Sequence, residues 1–348
     1  MKFRIALAAV LVGIAVLVII TVIHPPSPPA ATSTASSQLL PADERVAAPD
    51  FKGIDAWINS APLSISALRG KVVLVDFWTF SCVNCVRTIP HLQELQSAYG
   101  KDGFTIVGVH SPEFDFEKVT ANVRAAVTRL RVTWPVAIDS EMATWNAYAN
   151  QYWPADYLVD QQGRIAYTAF GEGNDAAIGM AVATLLGVHP GAAASATAVP
   201  SGITPELYAG SQRGTLADGE QYGPQGQPTA YPDGGAPHDR NAMQVTGTWI
   251  DQGQYLVAAA PGHVRLNFNA DTVYVVAGSM SGSGVVSVSL DGHAVSTTQS
   301  GTALSGAQSS FTVSSEDLYQ LLRGVTSGTH LVDLAVPAGF QLYTFTFG

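Results

Sequence analysis

Val75-Asp76-Phe77-Trp78-Thr79-Phe80-Ser81-Cys82-Val83-Asn84-Cys85 decides the reading of this chain. It closes an apolar run that begins at Lys71. The β-branched Val72, Val73 and Val75 in that run predict a buried strand. The segment beyond it has a helical pattern, with Ser81 or Cys82 placed to cap it and Pro90 placed to kink it by removing one main-chain hydrogen bond. The cysteines are the only two among 348 residues. A strand that delivers a CxxC pair to a helix start is the arrangement of a dithiol/disulfide couple. The other reading of this spacing is half of a metal site. Zinc needs about four ligands, but no second CxxC or HxxxH exists and the eight histidines are scattered. We therefore expect no metal, and no cofactor beyond the redox-active Cys82–Cys85 disulfide itself.

Upstream, Met1 to Arg4 is a basic tip. Ile5 to Ile23 is apolar and uncharged, long enough at about 1.5 Å per residue nearly to cross a hydrocarbon core of about 30 Å. Residues 1–24 are read as a signal anchor, a single transmembrane helix with Lys2 and Arg4 inside. A cleaved signal peptide is the alternative. Everything beyond is then extracytoplasmic, at the cell membrane. Residues 25–47, rich in Pro, Ala, Ser and Thr, read as a flexible spacer.

Residues 48–188 read as an α/β unit. Phe104–Val109, Val136–Ile138 and Asp156–Asp160 predict strands, and Gln161-Gln162-Gly163-Arg164 a hairpin turn into Ile165–Tyr167. Glu117–Leu130 and Asp175–Gly187 predict helices. A linker, 189–203, comes next. Residues 204–348 change character, with a short edge strand at Glu206–Gly210. Beyond Ala242 alternating segments such as Val264–Asn269, Thr272–Val276, Val285–Leu290 and Gln341–Phe347 are separated by Gly, Pro and Ser turns. They predict an all-β jelly roll or β-sandwich, with Leu318–Arg323 as a short helix or turn. The formal net charge of −10, with no basic cluster, leaves no electrostatic footprint for nucleic acid.

The segment Asp76-Phe77-Trp78 before Cys82, together with Tyr152-Trp153-Pro154-Ala155-Asp156-Tyr157-Leu158-Val159-Asp160, resembles the thioredoxin-like superfamily. The first stretch matches the buried Asp and Phe-Trp before the first cysteine, the second the segment whose cis proline faces the cysteines. Ala48-Pro49-Asp50-Phe51 and Leu68-Arg69-Gly70-Lys71 are similar to the exported TlpA/ResA-like thiol–disulfide oxidoreductases. Phe77 to His91 and Val109-His110-Ser111-Pro112-Glu113-Phe114 are similar to the soluble C-terminal part of DipZ proteins, in which a β-domain like a carbohydrate-binding module follows. The likeness covers about residues 48–348. It departs from full-length DipZ in having one hydrophobic segment rather than a multi-pass electron-transferring domain.

The resemblance implies a membrane-anchored extracytoplasmic oxidoreductase that exchanges with disulfides of envelope proteins, as a reductant, fed by a separate membrane thiol reductase. Cys82, at the helix start where backbone N–H groups favour an anion, is the expected nucleophile. Cys85 is the expected resolving thiol. Asp76 is a candidate acid/base group for Cys85, or else a paired or solvated strand-end carboxylate. Glu113 is, by the resemblance, a candidate buried glutamate that tunes the thiols, or else an exposed loop residue. Trp78 is expected beside the site, Trp153 in the substrate groove, and Pro154 as the cis proline. Trp249, Tyr255, Tyr274, Tyr319 and Tyr343 are either core or a stacking platform for glycan. The competing functions are an envelope glycan-binding protein with an accessory redox domain, and a thiol peroxidase.

Overall fold

The computed structural model describes residues 39–189, 202–305 and 309–348. The expected anchor, residues 1–24, most of the 25–47 spacer and most of the 189–203 linker lie outside the described residues. Among the described residues no helix is long and apolar enough to cross a membrane.

The first half is a six-stranded sheet of β1 (Ala56–Ile58), β2 (Val72–Trp78), β3 (Phe104–His110), β4 (Val136–Ile138), β5 (Ala155–Val159) and β6 (Ile165–Phe170), in the order β1-β4-β3-β2-β5-β6. β2, β3 and β4 are parallel, and β5 and β6 form a terminal hairpin in which β5 runs antiparallel to β2. β2 is buried at all seven positions, because helices cover both faces. That is why it reads as a continuous apolar run rather than an alternating one. Val72, Leu74 and Trp78 share a core with α1 (Val83–Tyr99), α2 (Thr120–Arg129) and α4 (Asp175–Leu186). Val73, Val75 and Phe77 face the other way, towards Trp145 and Tyr148 around α3 (Ala143–Ala147).

Two boundaries differ from expectation. The helix expected over Glu117–Leu130 is split into a 3-10 turn at Asp115–Lys118 and α2, because Val119 is extended between them. The chain from Leu40 to Ala47, expected to belong to the spacer, is bound to β6. Leu40 N–H donates to the Ala166 carbonyl at 2.8 Å, and Ile165 N–H donates to the Val46 carbonyl at 2.9 Å.

The second half is built from β7 (Leu207–Tyr208), β8 (Pro228–Tyr231), β9 (Met243–Asp251), β10 (Leu256–Ala258), β11 (Gly262–Phe268), β12 (Val273–Ser279), β13 (Gly284–Leu290), β14 (His293–Ala294), β15 (Ser310–Val313), β16 (Asp317–Leu322), β17 (His330–Val336) and β18 (Phe340–Phe347). All their pairings but isolated bridges are antiparallel. These strands form one 12-stranded path curled on itself, in which two groups of strands are joined through a shared strand. β9 makes the joint: Met243–Thr246 pair with β11, whereas Trp249–Asp251 pair with β10. Between them Gly247 has φ +97°, a conformation that only glycine adopts at low cost. The expected helix or turn at Leu318–Arg323 is instead the edge strand β16, paired with β12. Leu321 and Leu322 go into the core. The edge strand expected at Glu206–Gly210 is β7, paired with β18.

The curled sheet has one face in its own core and part of the other against the first half. On β18, Leu342, Phe345 and Phe347 point inward, whereas Tyr343 joins the core of the first half together with Val276 of β12. Tyr343 meets Phe116 edge-on at 4.8 Å and Phe114 at 5.2 Å, and Tyr255 stacks on it at 4.7 Å. β18 is therefore buried at all eight positions despite its alternating sequence. Tyr343→Ala should empty this contact and destabilise the chain by about 3 kcal/mol. Urea unfolding of the full chain checks this, and a loss below about 1 kcal/mol would mean the ring is not packed as described.

Candidate redox site

α1 begins at the CxxC pair. Cys82 is its N-cap, and the Cys82 Sγ accepts a hydrogen bond from the Cys85 N–H at 3.4 Å. Both cysteines are free thiols. Cys82 is partly exposed, and Cys85, one turn on, is only 1% exposed. The difference arises from the helix geometry: the cap residue stays at the end of the element, while the residue three positions later turns into the core. Burial holds the Cys85 thiol well above its ordinary range, and the neighbouring Cys82 and Asp76 push the same way. Arg87, on the same helix, braces the loop. Its guanidinium forms a two-pronged pair with Glu172 at 2.7 and 2.8 Å, and donates to Asn84 Oδ1 at 2.7 Å.

Asp76 lies on the β2 face that carries Leu74 and Trp78. It is 3% exposed, and its Oδ1 has no hydrogen-bond partner. Burial raises its carboxyl to about 7. The expectation of a paired or solvated carboxylate at this position is therefore not met. Directly across the antiparallel pairing stands Asp156, also buried and also with an unpartnered Oδ1. The sequence pattern does not single out Asp156 as a site residue. A lone carboxylate inside an otherwise apolar strand is the available signal.

Glu113 is not the buried glutamate of the site. Its Oε1 faces the second half, accepting from Tyr208 Oη at 2.8 Å and from Arg213 at 2.7 Å. Arg213 in turn lies 3.8 Å over the Tyr208 ring. The buried glutamate is Glu117, four residues later. Its Oε1 accepts from the Ser81 hydroxyl at 2.5 Å, next to Cys82. Its Oε2 accepts from the Glu113 and Phe114 N–H groups at 2.6 and 3.0 Å. Those bonds hold Glu117 in the 3-10 turn that sequence periodicity reads as helix. Burial, then the charge of Glu113, raises Glu117 to about 6.

The remaining candidates flank this centre. Trp78 is buried over β3, where Gly108 leaves room for it: a Cβ there would stand 2.9 Å from Trp78 Nε1. Trp153 is partly exposed, lies tilted against Trp145 with ring centroids 4.1 Å apart, and donates from Nε1 to the Ser111 carbonyl at 3.0 Å. The Trp153–Pro154 peptide bond is cis. His110 is fully buried beside Trp78 and Phe80. Burial lowers it to about 3, so it is a neutral ring at physiological pH. Of the aromatics considered for a glycan platform, Trp249 is in the β core and Tyr343 and Tyr255 are in the contact between the halves. These three do not form an exposed stacking surface. No cluster of metal-ligating residues occurs among the described residues.

Residues 43–182 match the redoxin family, and residues 204–348 match the family described as thioredoxin-like C-terminal domain. Protein DipZ of Mycobacterium tuberculosis is 34% identical over 322 residues, 86% of this chain and 43% of the relative, so the chain spans less than half the length of that relative. Thiol-disulfide oxidoreductase ResA of Geobacillus thermodenitrificans is 31% identical over 34% of this chain and 64% of the relative. Thiol-disulfide oxidoreductase YkuV of Bacillus subtilis is 28% identical over 34% of this chain and 80% of the relative.

The raised Asp76 acid has a consequence for stability. The folded state holds its proton between the ordinary carboxylate pKa of 3.8 and about 7, where the unfolded state has lost it. Ionising the buried group thus costs nothing below the lower value, the cost grows as pH rises from 3.8 to about 7, and it stays constant above that. Asp76→Asn should leave stability unchanged at acid pH and raise it by on the order of 2–4 kcal/mol in alkali. Denaturation across pH checks this. An equal effect at both ends would contradict it.

Proposed function

We propose that the chain is a thioredoxin-like thiol–disulfide oxidoreductase, a reading supported by the redoxin match of its first half and the thioredoxin-like C-terminal match of its second, and that Cys82 and Cys85 are its working couple and act as a reductant of protein disulfides. The observation that carries this is the asymmetry of the pair: one sulfur at the surface on a helix N-terminus, the other buried one turn behind it.

The chemistry rests on that asymmetry. The Cys82 thiolate attacks one sulfur of a client disulfide, forming a mixed disulfide and releasing the first client thiolate. Cys85 then loses its proton to the Asp76 carboxylate and attacks Cys82 Sγ. The Cys82–client bond breaks, the second client thiolate leaves and takes a proton from solvent, and Cys82–Cys85 remains as the disulfide. Two electrons have passed from the cysteine pair to the client. Asp76 suits this step because a base that titrates near the working pH is effective. A base at this depth is useful because burial keeps the Cys85 thiol protonated otherwise. Glu117 and Ser81 steady the loop ahead of Cys82, and Trp153 and Pro154 border the approach to it.

The apolar run from Ile5 to Ile23 supports an anchored, extracytoplasmic setting, with envelope protein disulfides as clients. Regeneration of the dithiol then needs electrons from across the membrane, which a separate membrane thiol reductase would supply.

The full chain in detergent, with dithiothreitol as electron source, should accelerate reduction of insulin disulfides. Cys82→Ser should abolish the acceleration. Cys85→Ala should accumulate a thiol-reversible covalent adduct with the client, visible on a non-reducing gel. Full activity in Cys82→Ser would overturn the assignment.

A further inference from the structure

β2 and β5 run antiparallel with Asp76 directly opposite Asp156. Directly opposed residues on antiparallel strands keep their Cβ atoms about 4.5–5.5 Å apart on the same face. That face lies under α1 and α4, in the core that also contains Cys85. The two carboxyl groups are 3% and 4% exposed, and an Oδ1 of each has no partner. The titratable groups around them are Cys82 and Cys85 from α1, Asp175 at the start of α4, and Tyr167 from β6. None is a cation. Two carboxylates this close in a dry core, with no positive charge beside them, cannot both ionise. Of the two, Asp76 is the one that stands close enough to act on Cys85; burial raises Asp156 well above the ordinary carboxylate range, and the charges of Asp76 and Asp175 push the same way.

We propose that Asp156 is a positioning residue for the resolving step: it stays protonated, donates its O–H to the Asp76 carboxylate across the β2–β5 pairing, and so keeps Asp76 in the form that accepts the Cys85 proton. The donated hydrogen bond supplies the partner that the Oδ1 atoms lack. It also favours the ionised form of Asp76 against the desolvation that opposes it. Without a donor opposite, the same burial would drive Asp76 to its neutral acid, which cannot take a proton from Cys85. The inference rests on the reading of Asp76 as the base for Cys85.

The test uses the reduced full chain and 5,5′-dithiobis(2-nitrobenzoate) in stopped flow. Attack by Cys82 releases one coloured thiolate, and resolution by Cys85 releases the second in a separate phase. In the wild type the second phase should rise with pH through an inflection near 7, the value to which Asp76 is raised. Asp156→Val, which removes the donor, should move that inflection up by about one pH unit or more and leave the first phase unchanged. Asp156→Asn keeps a neutral donor and should restore the wild-type profile. An inflection that stays put or moves down in Asp156→Val overturns the role of Asp156. If Asp76→Asn also leaves the second phase unchanged, the reading of Asp76 fails instead. A first phase that keeps its wild-type rate in Cys82→Ser would discard the site altogether. A measurement on the wild type is independent of how the variants fold: carboxyl carbon NMR of labelled aspartates should show one buried acid that keeps its proton throughout the titration of a second. Two buried acids titrating at ordinary carboxylate values would overturn the proposal.

Discussion

Everything around the CxxC pair is arranged about one constraint, the burial of a thiol and its acid neighbours near the end of a strand. β2 is apolar at every buried position except Asp76, and it ends where α1 begins. Its central place in the sheet, with β3 on one side and β5 on the other, leaves water no access to that carboxylate. The desolvation that results moves both Asp76 and Cys85 away from their ordinary titration ranges. An exposed CxxC pair would lack this: Cys82 and Cys85 differ because one caps the helix and the other faces the core, not because of any difference in their chemistry.

A second consequence is the way the β half is attached. The loop after β3 carries Glu113, Phe114, Phe116 and Glu117, and it serves both halves at once. Glu117 turns inward to Ser81 and the loop's own N–H groups, whereas Glu113 turns outward to Tyr208 and Arg213. Phe114 and Phe116 lie between, against Tyr343. Aromatic contacts of this kind add about 0.5–1.5 kcal/mol each beyond the area they bury. The β half is thus packed on the loop that borders the cysteines, and Arg87 extends the contact by reaching the carbonyl of Phe347 from the CxxC helix.

Much of the fold is legible in the sequence where local pattern and tertiary environment agree. β2, α1, the β5–β6 hairpin with its turn at Gly163, and α4 closed by Gly187 are such cases. Legibility fails where a distant partner decides the outcome. Leu318–Leu322 has no strand alternation of its own and becomes a strand because β12 offers an unpaired edge. Leu40–Ala47 is compositionally a spacer, but β6 holds its backbone. Alternation in the β half reports only which face is buried. It cannot report that β9 changes partners at Gly247.

The site divides along the same line. By itself the sequence singled out the candidate pair, two cysteines at helical spacing after a buried strand, and its resemblance to the thioredoxin-like superfamily singled out Asp76 and Pro154. The spacing of the cysteines is a local relation, carried by the repeat of the helix and the strand. Only the tertiary structure decided which carboxylates surround the couple. It placed Asp156 opposite Asp76 through the register of β2 and β5, turned Glu113 away to Arg213, and brought Glu117 to Ser81. The reason is physical: a carboxylate's role depends on what excludes water from it and what donates to it, and here both come from residues distant in the chain.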